Sequence, residues 1–225
     1  MSEKIRVAIC VPSAGYCPIF FAQSLAELMM CVQTLQRARP EASGFETKIF
    51  IRQSSNIPNN REALVDQALG WGCTHVLFID DDMVFNGHIL EMLLSRRQPY
   101  VACNYPKRQH PFEFTATRAD KTGPIHTNNL TIGMEEAWYT GFGAALIERE
   151  VFEKIPKPWF LPYFDPQQQQ ISSEDNPFCQ RVRDAGFKVL VDHNASKHLS
   201  HFGHHFYNWK EAPVVEERMM EKKVA

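Results

Sequence analysis

The chain has 225 residues and a mass of 25.9 kDa, with 24 lysines and arginines, 26 aspartates and glutamates, and a net charge of −2. Hydrophobic residues make up 44% and charged residues 22%, which is typical of soluble globular proteins and excludes a mainly disordered chain. The balanced charge argues against a strong non-specific nucleic-acid binder, although a local basic patch stays open. No apolar run reaches the ~18–20 residues of a membrane helix, so we expect no integral membrane segment.

The amino terminus and the cysteines favour a cytoplasmic protein. The start, MSEKIRVAIC, leads directly into a strand-like segment without a long apolar region, so no signal peptide is expected. The six cysteines include no C-x-x-C pair, and several lie in apolar runs. We therefore expect buried, reduced thiols and a cytoplasmic location.

The first half of the chain alternates between strand and helix patterns. Short apolar runs predict strands at residues 6–12, 45–52, 75–79 and 100–105. Apolar residues spaced three or four apart predict helices between them, at residues 21–35, 63–69 and 86–94. Asn59 and Glu62 have the spacing of a capping box for the second helix. This order predicts an α/β fold with a mostly parallel central sheet and helices on both faces.

The second half is less regular. Proline-containing polar stretches at 106–135 and 156–171 predict loops, and 139–147 predicts a glycine-interrupted strand. A helix at 173–185 and a strand at 187–191 follow. Neither an internal repeat nor a linker is visible, so we expect one domain over residues 1–205 and a charged tail at 206–225.

Three adjacent aspartates, Asp80, Asp81 and Asp82, directly follow the buried strand at 75–79. Adjacent carboxylates repel each other, so gathering them is costly without a compensating cation. In an open α/β sheet the carboxyl ends of the strands form the ligand crevice. Asp80 and Asp82 placed there would offer the hard oxygen ligands that Mg²⁺ or Mn²⁺ prefers. A solvated acidic turn is the alternative, which the apolar residues on both sides disfavour.

The stretch HVLFIDDDMVFNGHILEMLL resembles the D-x-D region of GT-A-fold glycosyltransferases, especially the family 2-like group of nucleotide-diphospho-sugar transferases. The resemblance implies a Rossmann-like GT-A catalytic domain over residues 1–205. It implies that Asp82 helps to hold a divalent metal on the pyrophosphate of a nucleotide-sugar. Asp80 would lie near the ribose or the metal, with Asp81 between them.

Two earlier segments resemble the same family in the expected order. VPSAG at 11–15 resembles the first-strand loop that contacts the nucleobase, which implies donor-binding roles for Pro12, Ser13 and Ala14. Asn60 and Arg61 resemble the family's element near the nucleotide, where a guanidinium offers a cationic fork for base or phosphate. A surface arginine in the first turn of a helix is the alternative for Arg61.

The segment WYTGFGAALI at 138–147 resembles the part of the family that lines the sugar and the acceptor. A glycine such as Gly141 lets backbone and ligand approach closely. Trp138 would stack on a sugar ring or an acceptor, and a core aromatic is the alternative.

Glu174 and Asp175 open a predicted helix. In many inverting GT-A enzymes a Glu-Asp pair begins a helix at this place, and its Asp is the general base. The resemblance therefore implies that Asp175 removes the proton of the acceptor hydroxyl as it attacks the anomeric carbon. Glu174 would bind acceptor or sugar hydroxyls. Two acids that merely stabilise a helix N-terminus are the alternative.

The segment His201-Phe-Gly resembles the H-x-G that completes the metal site after the last strand. An imidazole beside two carboxylates suits Mn²⁺ better than Mg²⁺. A surface histidine cluster and a separate zinc site are the alternatives, although no cysteine lies nearby. The remaining histidines of this segment are His193, His198, His204 and His205.

These motifs together imply a metal-dependent glycosyltransferase that moves one sugar from a nucleotide-diphospho-sugar, most often a UDP-sugar in this family, to an acceptor hydroxyl. Inversion is expected, and retention stays open. The Q-x-x-R-W motif of processive members is absent, which favours a single transfer.

The acceptor is the least determined part of this prediction. A saccharide or lipid-linked glycan is the default by family frequency. A hydroxylated DNA base, as in phage enzymes, is an alternative because Arg96, Arg97, Lys107 and Arg108 would be able to touch phosphates. A nucleotidyltransferase and a non-catalytic nucleotide-sugar-binding module are alternatives from other classes. The loop VPSAGYCP lacks the lysine that a nucleotidyltransferase usually carries there.

Overall fold

The computed structural model describes residues 4–38, 45–109, 111–166, 169–203 and 206–211. Its helices are α1 (Ile19–Ala38), α2 (Ile57–Trp71), α3 (Ile89–Leu94), α4 (Arg149–Lys154), α5 (Asp175–Asp184) and α6 (His193–Ser196). Its strands are β1 (Ile5–Ser13), β2 (Phe45–Gln53), β3 (His75–Ile79), β4 (Met83–Phe85), β5 (Tyr100–Ala102), β6 (Thr117–Arg118), β7 (Met134–Tyr139), β8 (Ala144–Glu148), β9 (Tyr163–Asp165), β10 (Gln170–Ser172), β11 (Leu190–Asp192), β12 (Leu199–Phe202) and β13 (Phe206–Tyr207). A 3-10 turn follows at Trp209–Glu211.

The central sheet has eight strands in the order β2-β1-β3-β8-β5-β11-β7-β6. β1 pairs in parallel with β2 and β3, and β5 pairs in parallel with β11. β8 runs antiparallel to β3 and β5, and β7 runs antiparallel to β11 and β6. The α/β class is therefore confirmed, but the sheet that was predicted to be mostly parallel is mixed.

β7 and β8, which each run antiparallel to their neighbours in the sheet, come from one extended segment of the chain. Residues 140–143 separate them, and both strands run against the parallel pair of β5 and β11. The sequence predicts a single interrupted strand here. An apolar pattern identifies a strand but not its direction, and a strand that no crossover helix precedes need not be parallel to its neighbours.

Helices cover both faces of the central sheet, as predicted. Side chains alternate between the two faces of a strand. Val7 and Ile9 of β1 pack with α1 and α3, whereas Ala8 and Cys10 pack with α2 and α5. Among the described residues, no helix has the length and hydrophobicity that crossing a membrane requires.

Helix α2 begins at an asparagine cap. Asn56 Oδ1 accepts a hydrogen bond of 3.1 Å from the backbone N–H of Asn59, so the cap lies three residues before the predicted one. The helix ends at Gly72, whose φ of 79° is left-handed. This placement buries the side chains of Asn60 and Arg61.

Two smaller sheets position the loops around the carboxyl edge of the central sheet. β12 pairs antiparallel with β4 and β13, and its register places His201 opposite Met83, the residue after Asp82. β9 and β10 form a hairpin that leads into α5. Because β13 belongs to one of these sheets, the first residues of the predicted tail pack on the domain. Residues 212–225 lie outside the described residues.

Candidate active site

A cleft of about 700 Å³ opens where β1 and β3 end. Open α/β sheets bind their ligands at this edge, beyond the carboxyl ends of the strands. Three residues that the sequence singles out, Ala14, Asp81 and Asp82, line the cleft. The other lining residues are Tyr16, Pro18, Arg108, Phe202 and Gly203.

Asp82, which lines the cleft, contacts His201. His201 Nε2 lies 3.3 Å from Asp82 Oδ2, and His201 Nδ1 lies 3.1 Å from the carbonyl oxygen of Pro106. That carbonyl only accepts, so Nδ1 donates to it, and Nε2 donates to Asp82 when the ring is protonated or presents its lone pair to a ligand when the ring is neutral. The structure thus brings together Asp82 and His201, two of the three metal ligands that the resemblance implies.

Arg108 adds a cation to the same carboxylate. Its Nη1 lies 3.1 Å from Asp82 Oδ2, and its side chain is half exposed. Burial opposes ionisation of Asp82, but the hydrogen bond and charge of His201 and the charge of Arg108 outweigh it and lower the pKa of Asp82. Nothing in the sequence pattern marked Arg108 as a partner of the aspartates.

Asp80 faces Arg61 instead. Arg61 Nη2 donates to Asp80 Oδ1 at 2.8 Å, and Arg61 Nε donates to Glu174 Oε1 at 3.0 Å. The Arg61 side chain is only 5% exposed. We call Asp80, Arg61, Glu174 and Asp175 the Arg61 cluster. The resemblance implies that the Arg61 guanidinium binds a nucleobase or a phosphate. In the structure, two carboxylates bind this guanidinium instead.

Arg61 also retains one unused donor. Its Nη1 is buried and has no hydrogen-bond partner among the described residues. The guanidinium carbon lies 4.9 Å from the ring centre of Phe142 and 5.5 Å from that of Phe78. The two aromatic rings and the two carboxylates together hold the cation in place.

Asp175, the first residue of α5, is the member of the Arg61 cluster that was predicted to be the base. Burial and the charge of Glu174 raise the pKa of Asp175, and the Ser173 hydroxyl and Arg61 only partly oppose this. Burial likewise raises the pKa of Asp80, because the attraction of Arg61 is offset by the negative charges of Asp82 and Glu174. A carboxylate with a raised pKa is a stronger base than an ordinary one, as the predicted role of Asp175 requires.

Asp81 faces the cleft with an unsatisfied oxygen. Its Oδ2 is buried without a hydrogen-bond partner among the described residues. Burial raises its pKa against the effects of the Ser13 hydroxyl and the Ala14 backbone. Asp80 and Asp82, both expected to offer ligands to one metal ion, face different partners because residues 80–83 form a turn, in which Met83 N donates to Asp80 O. The turn breaks the alternation of an extended strand.

The first-strand residues Pro12 and Ser13 are buried and structural. Pro12 is paired with Arg52 within β1 and β2. Ser13 Oγ accepts from Gly15 N at 3.1 Å, and the Ser13 carbonyl accepts from Asn60 Nδ2 at 3.2 Å. Of the three first-strand residues predicted to bind the donor, Ala14 alone lines the cleft.

Tyr105 fills the space that two glycines leave open. A Cβ at Gly141 would lie 2.4 Å from the Tyr105 hydroxyl, and a Cβ at Gly143 would lie 2.5 Å from Tyr105 Cζ. The hydroxyl accepts from Gly143 N at 2.9 Å, and the ring packs edge-on against His201 at 5.3 Å. Gly141 therefore makes room for a protein side chain rather than for a ligand, and sequence reasoning missed Tyr105.

The ring of Trp138 is covered by cations. Lys121 Nζ lies 3.6 Å and Arg183 Cζ 3.5 Å from its ring centre. Two cations thus already contact the ring that was predicted to stack on a sugar.

The residues present fit a weakly held divalent cation better than a closed metal site. Within the described residues, no group of three or more His, Cys, Asp or Glu side chains is arranged to hold a metal ion. Asp82 and His201 provide two ligands, and Mg²⁺ and similar ions commonly complete their shells with water and substrate phosphates. His193 bonds Thr127 and Glu135, whereas His204 and His205 lie outside the described residues.

No protein-family model and no curated protein matches this chain. Among solved structures, the chain is similar to the crystal structure of A197 from STIV, with a TM-score of 0.58. The two share 20% sequence identity, over 88% of this chain and 86% of that one. At this identity the likeness extends to the fold alone.

Proposed function

We propose that the protein is a metal-dependent glycosyltransferase with a GT-A-like domain, which moves one sugar from a nucleotide-diphospho-sugar to an acceptor hydroxyl with inversion. One observation carries the proposal: a cleft lined by Asp81 and Asp82 lies beside a partly buried carboxylate cluster that contains Asp175. A UDP-sugar is the first donor to test. The cytoplasmic location that the sequence predicts belongs to the same proposal.

The cleft side would bind the donor. Asp82 and His201 would hold a divalent cation, which on binding neutralises negative charge on the leaving diphosphate. Arg108 adds a second positive charge beside Asp82. The free oxygen of Asp81 would accept a hydrogen bond from a donor hydroxyl or N–H, which satisfies an otherwise unpartnered buried group.

The cluster side would activate the acceptor. The acceptor oxygen bonds to the anomeric carbon as the bond between that carbon and the diphosphate oxygen breaks, and the hydroxyl proton passes to Asp175. Burial and Glu174 make Asp175 more basic. Arg61 fixes Glu174, so that its second oxygen can accept from an acceptor or sugar hydroxyl.

A saccharide or lipid-linked glycan is the acceptor that we favour. Three of the four basic residues that favoured a DNA acceptor have acidic partners: Lys107 pairs with Glu113 at 2.7 Å, Arg96 with Asp192 at 2.5 Å and Arg108 with Asp82 at 3.1 Å. Pairing with acids weakens the attraction of these side chains for phosphates. A hydroxylated DNA base is therefore a secondary acceptor to test.

The experiment is a screen of nucleotide-sugars with Mn²⁺, with Mg²⁺ or with EDTA. We expect metal-dependent release of nucleoside diphosphate and a metal-dependent thermal shift with one donor. The absence of both with every nucleotide-sugar contradicts the proposal. Release of inorganic pyrophosphate from a nucleoside triphosphate would instead indicate a nucleotidyltransferase.

Asp175→Asn tests the base directly, and Asp184→Asn at the other end of α5 is its matched control. We expect Asp175→Asn to lose at least about 100-fold in turnover while it keeps the donor-dependent thermal shift. Asp184→Asn should keep both. Unchanged turnover in Asp175→Asn removes this residue from the mechanism.

A further inference from the structure

Cys31 contacts a histidine that is itself oriented by a carboxylate. Cys31 Sγ lies 3.8 Å from His88 Nε2, and His88 Nδ1 lies 3.1 Å from Glu91 Oε2. An ionised carboxylate only accepts hydrogen bonds, so Nδ1 carries the proton and Nε2 presents its lone pair to the thiol. The three side chains thus have the order of a nucleophile, a base and an orienting group.

Gly87 lies close to the thiol of Cys31. A Cβ at Gly87 would lie 2.9 Å from Cys31 Sγ, so any larger residue would crowd the sulfur. Cys31 is half-buried on α1, whereas four of the other cysteines are fully buried and Cys17 is exposed. The site lies on the α1 and α3 face of the sheet, opposite the α2 and α5 face that carries the Arg61 cluster.

Two cavities meet at Cys31. The first, of about 380 Å³, lies between α1, α3 and the first two strands. Its apolar lining includes Leu28, Val32, Leu35, Phe45, Leu90 and Leu94. The second, of about 270 Å³, is also lined by Cys31 and His88, together with Glu27, Met30, Asn86 and Gly87. The thiol therefore stands between a larger, mostly apolar space and a smaller space that is more open to solvent.

We propose that Cys31 is a site of S-acylation by an acyl thioester with a long apolar chain. Cys31 Sγ bonds to the thioester carbonyl carbon as His88 Nε2 takes the thiol proton. The bond between that carbon and the sulfur of the original thioester breaks, and the leaving thiolate takes the proton from His88. A thioester on Cys31 and a free thiol result, without oxidation or reduction.

Each of the two cavities would take a different part of the acyl donor. The acyl chain occupies the apolar cavity, where its burial removes hydrocarbon from water. The leaving thiol departs through the smaller cavity, which is more open to solvent. No residue of this site belongs to the proposed glycosyl-transfer site, so either proposal can fail without the other.

The test incubates the full chain with palmitoyl-CoA and follows its intact mass, with peptide mapping and hydroxylamine release to locate a thioester. We expect one adduct, on Cys31, formed at least about tenfold faster than on Cys17. Cys31→Ser should abolish it, and the matched control Cys17→Ser should leave it unchanged. Equal labelling of Cys17 and Cys31 overturns the proposal.

Two further experiments test His88 as the base and the preference for a long acyl chain. His88→Gln should slow acylation at least about tenfold, and an unchanged rate overturns the role of His88. The side chains of His88 and Glu91 are 59% and 48% exposed, so both positions tolerate substitution, and Glu91→Gln should slow acylation less than His88→Gln. Acetyl-CoA should react at least about tenfold more slowly than palmitoyl-CoA, and equal rates contradict an apolar acyl site.

Discussion

Asp80 and Asp82 are two residues apart, yet their surroundings shift their pKa values in opposite directions. Both carboxyl groups are partly buried, and burial by itself would raise the pKa of each. At Asp82 two positive partners, His201 and Arg108, outweigh burial. At Asp80 the one cation, Arg61, is shared with other carboxylates and does not. The number of cations for each carboxylate, rather than residue type, sets the direction of the pKa shift at this edge of the sheet.

The largest expected effect is the loss of Arg61. Arg61→Met leaves Asp80 and Glu174 without their cation in a mostly buried place, and we expect a loss of about 3 kcal/mol in the free energy of unfolding. Arg108→Met is the matched control, because the half-exposed pair with Asp82 should contribute less than about 1 kcal/mol. Urea denaturation measures both, and equal losses would contradict the contrast between the two sides.

His201 should matter for activity more than for folding. His201→Gln removes one of the two proposed metal ligands, and we expect the Mn²⁺ concentration for half-maximal donor turnover to rise about 10- to 100-fold. Asp175→Asn should not shift that concentration, since it acts on the acceptor side. A metal requirement that is unchanged in His201→Gln would remove this residue from the donor site.

The raised pKa of Asp175 predicts the sign of a pH effect. The folded protein holds this proton more tightly than the unfolded chain, so the contribution of Asp175 to stability is complete below its ordinary pKa. It is lost as the pH rises through the folded-state value. Asp175→Asn should therefore stabilise the protein near pH 7 and flatten the decline of stability above pH 4. Urea titrations across this range check the effect.

Asp184→Asn serves as the control for that titration. Asp184 lies at the other end of α5 and accepts a hydrogen bond from Gln180 on the exposed surface. Its replacement should leave the pH dependence of stability unchanged. The interpretation of Asp175 fails if both variants alter the pH dependence equally.

The smallest expected effect concerns Trp138. Trp138→Leu removes the ring that Lys121 and Arg183 contact, and we expect a loss of about 1 kcal/mol in stability without a change in donor turnover. Thermal denaturation and donor hydrolysis measure the two quantities. A selective rise in the KM for the acceptor would restore the stacking role that the sequence suggests.

The sequence predicts those parts of the molecule that local patterns encode. The alternation of strands and helices, the position of the aspartates after β3 and the helix that Asp175 begins all follow from periodicity and turn residues. The contact between Asp82 and His201 was anticipated by the family resemblance and has geometric support. The activity itself stays a prediction.

What the sequence did not predict depends on the tertiary fold. Glu174 and Arg61 are 113 positions apart in the sequence, and no local pattern reveals that they form a pair. The turn at 80–82 decides which aspartate faces the cleft, since it ends the alternation of β3. Tyr105 and Arg108 lie in a stretch predicted as strand end and loop, where periodicity carries no information about partners.

Tyr105 and the two glycines beneath it form a size-matched set. The ring has its place only because Gly141 and Gly143 lack side chains, and the ring in turn supports His201. These positions should therefore change together in related sequences rather than one at a time. An alanine at either glycine becomes acceptable only when a smaller residue replaces the tyrosine, and the histidine then loses the neighbour that holds its orientation.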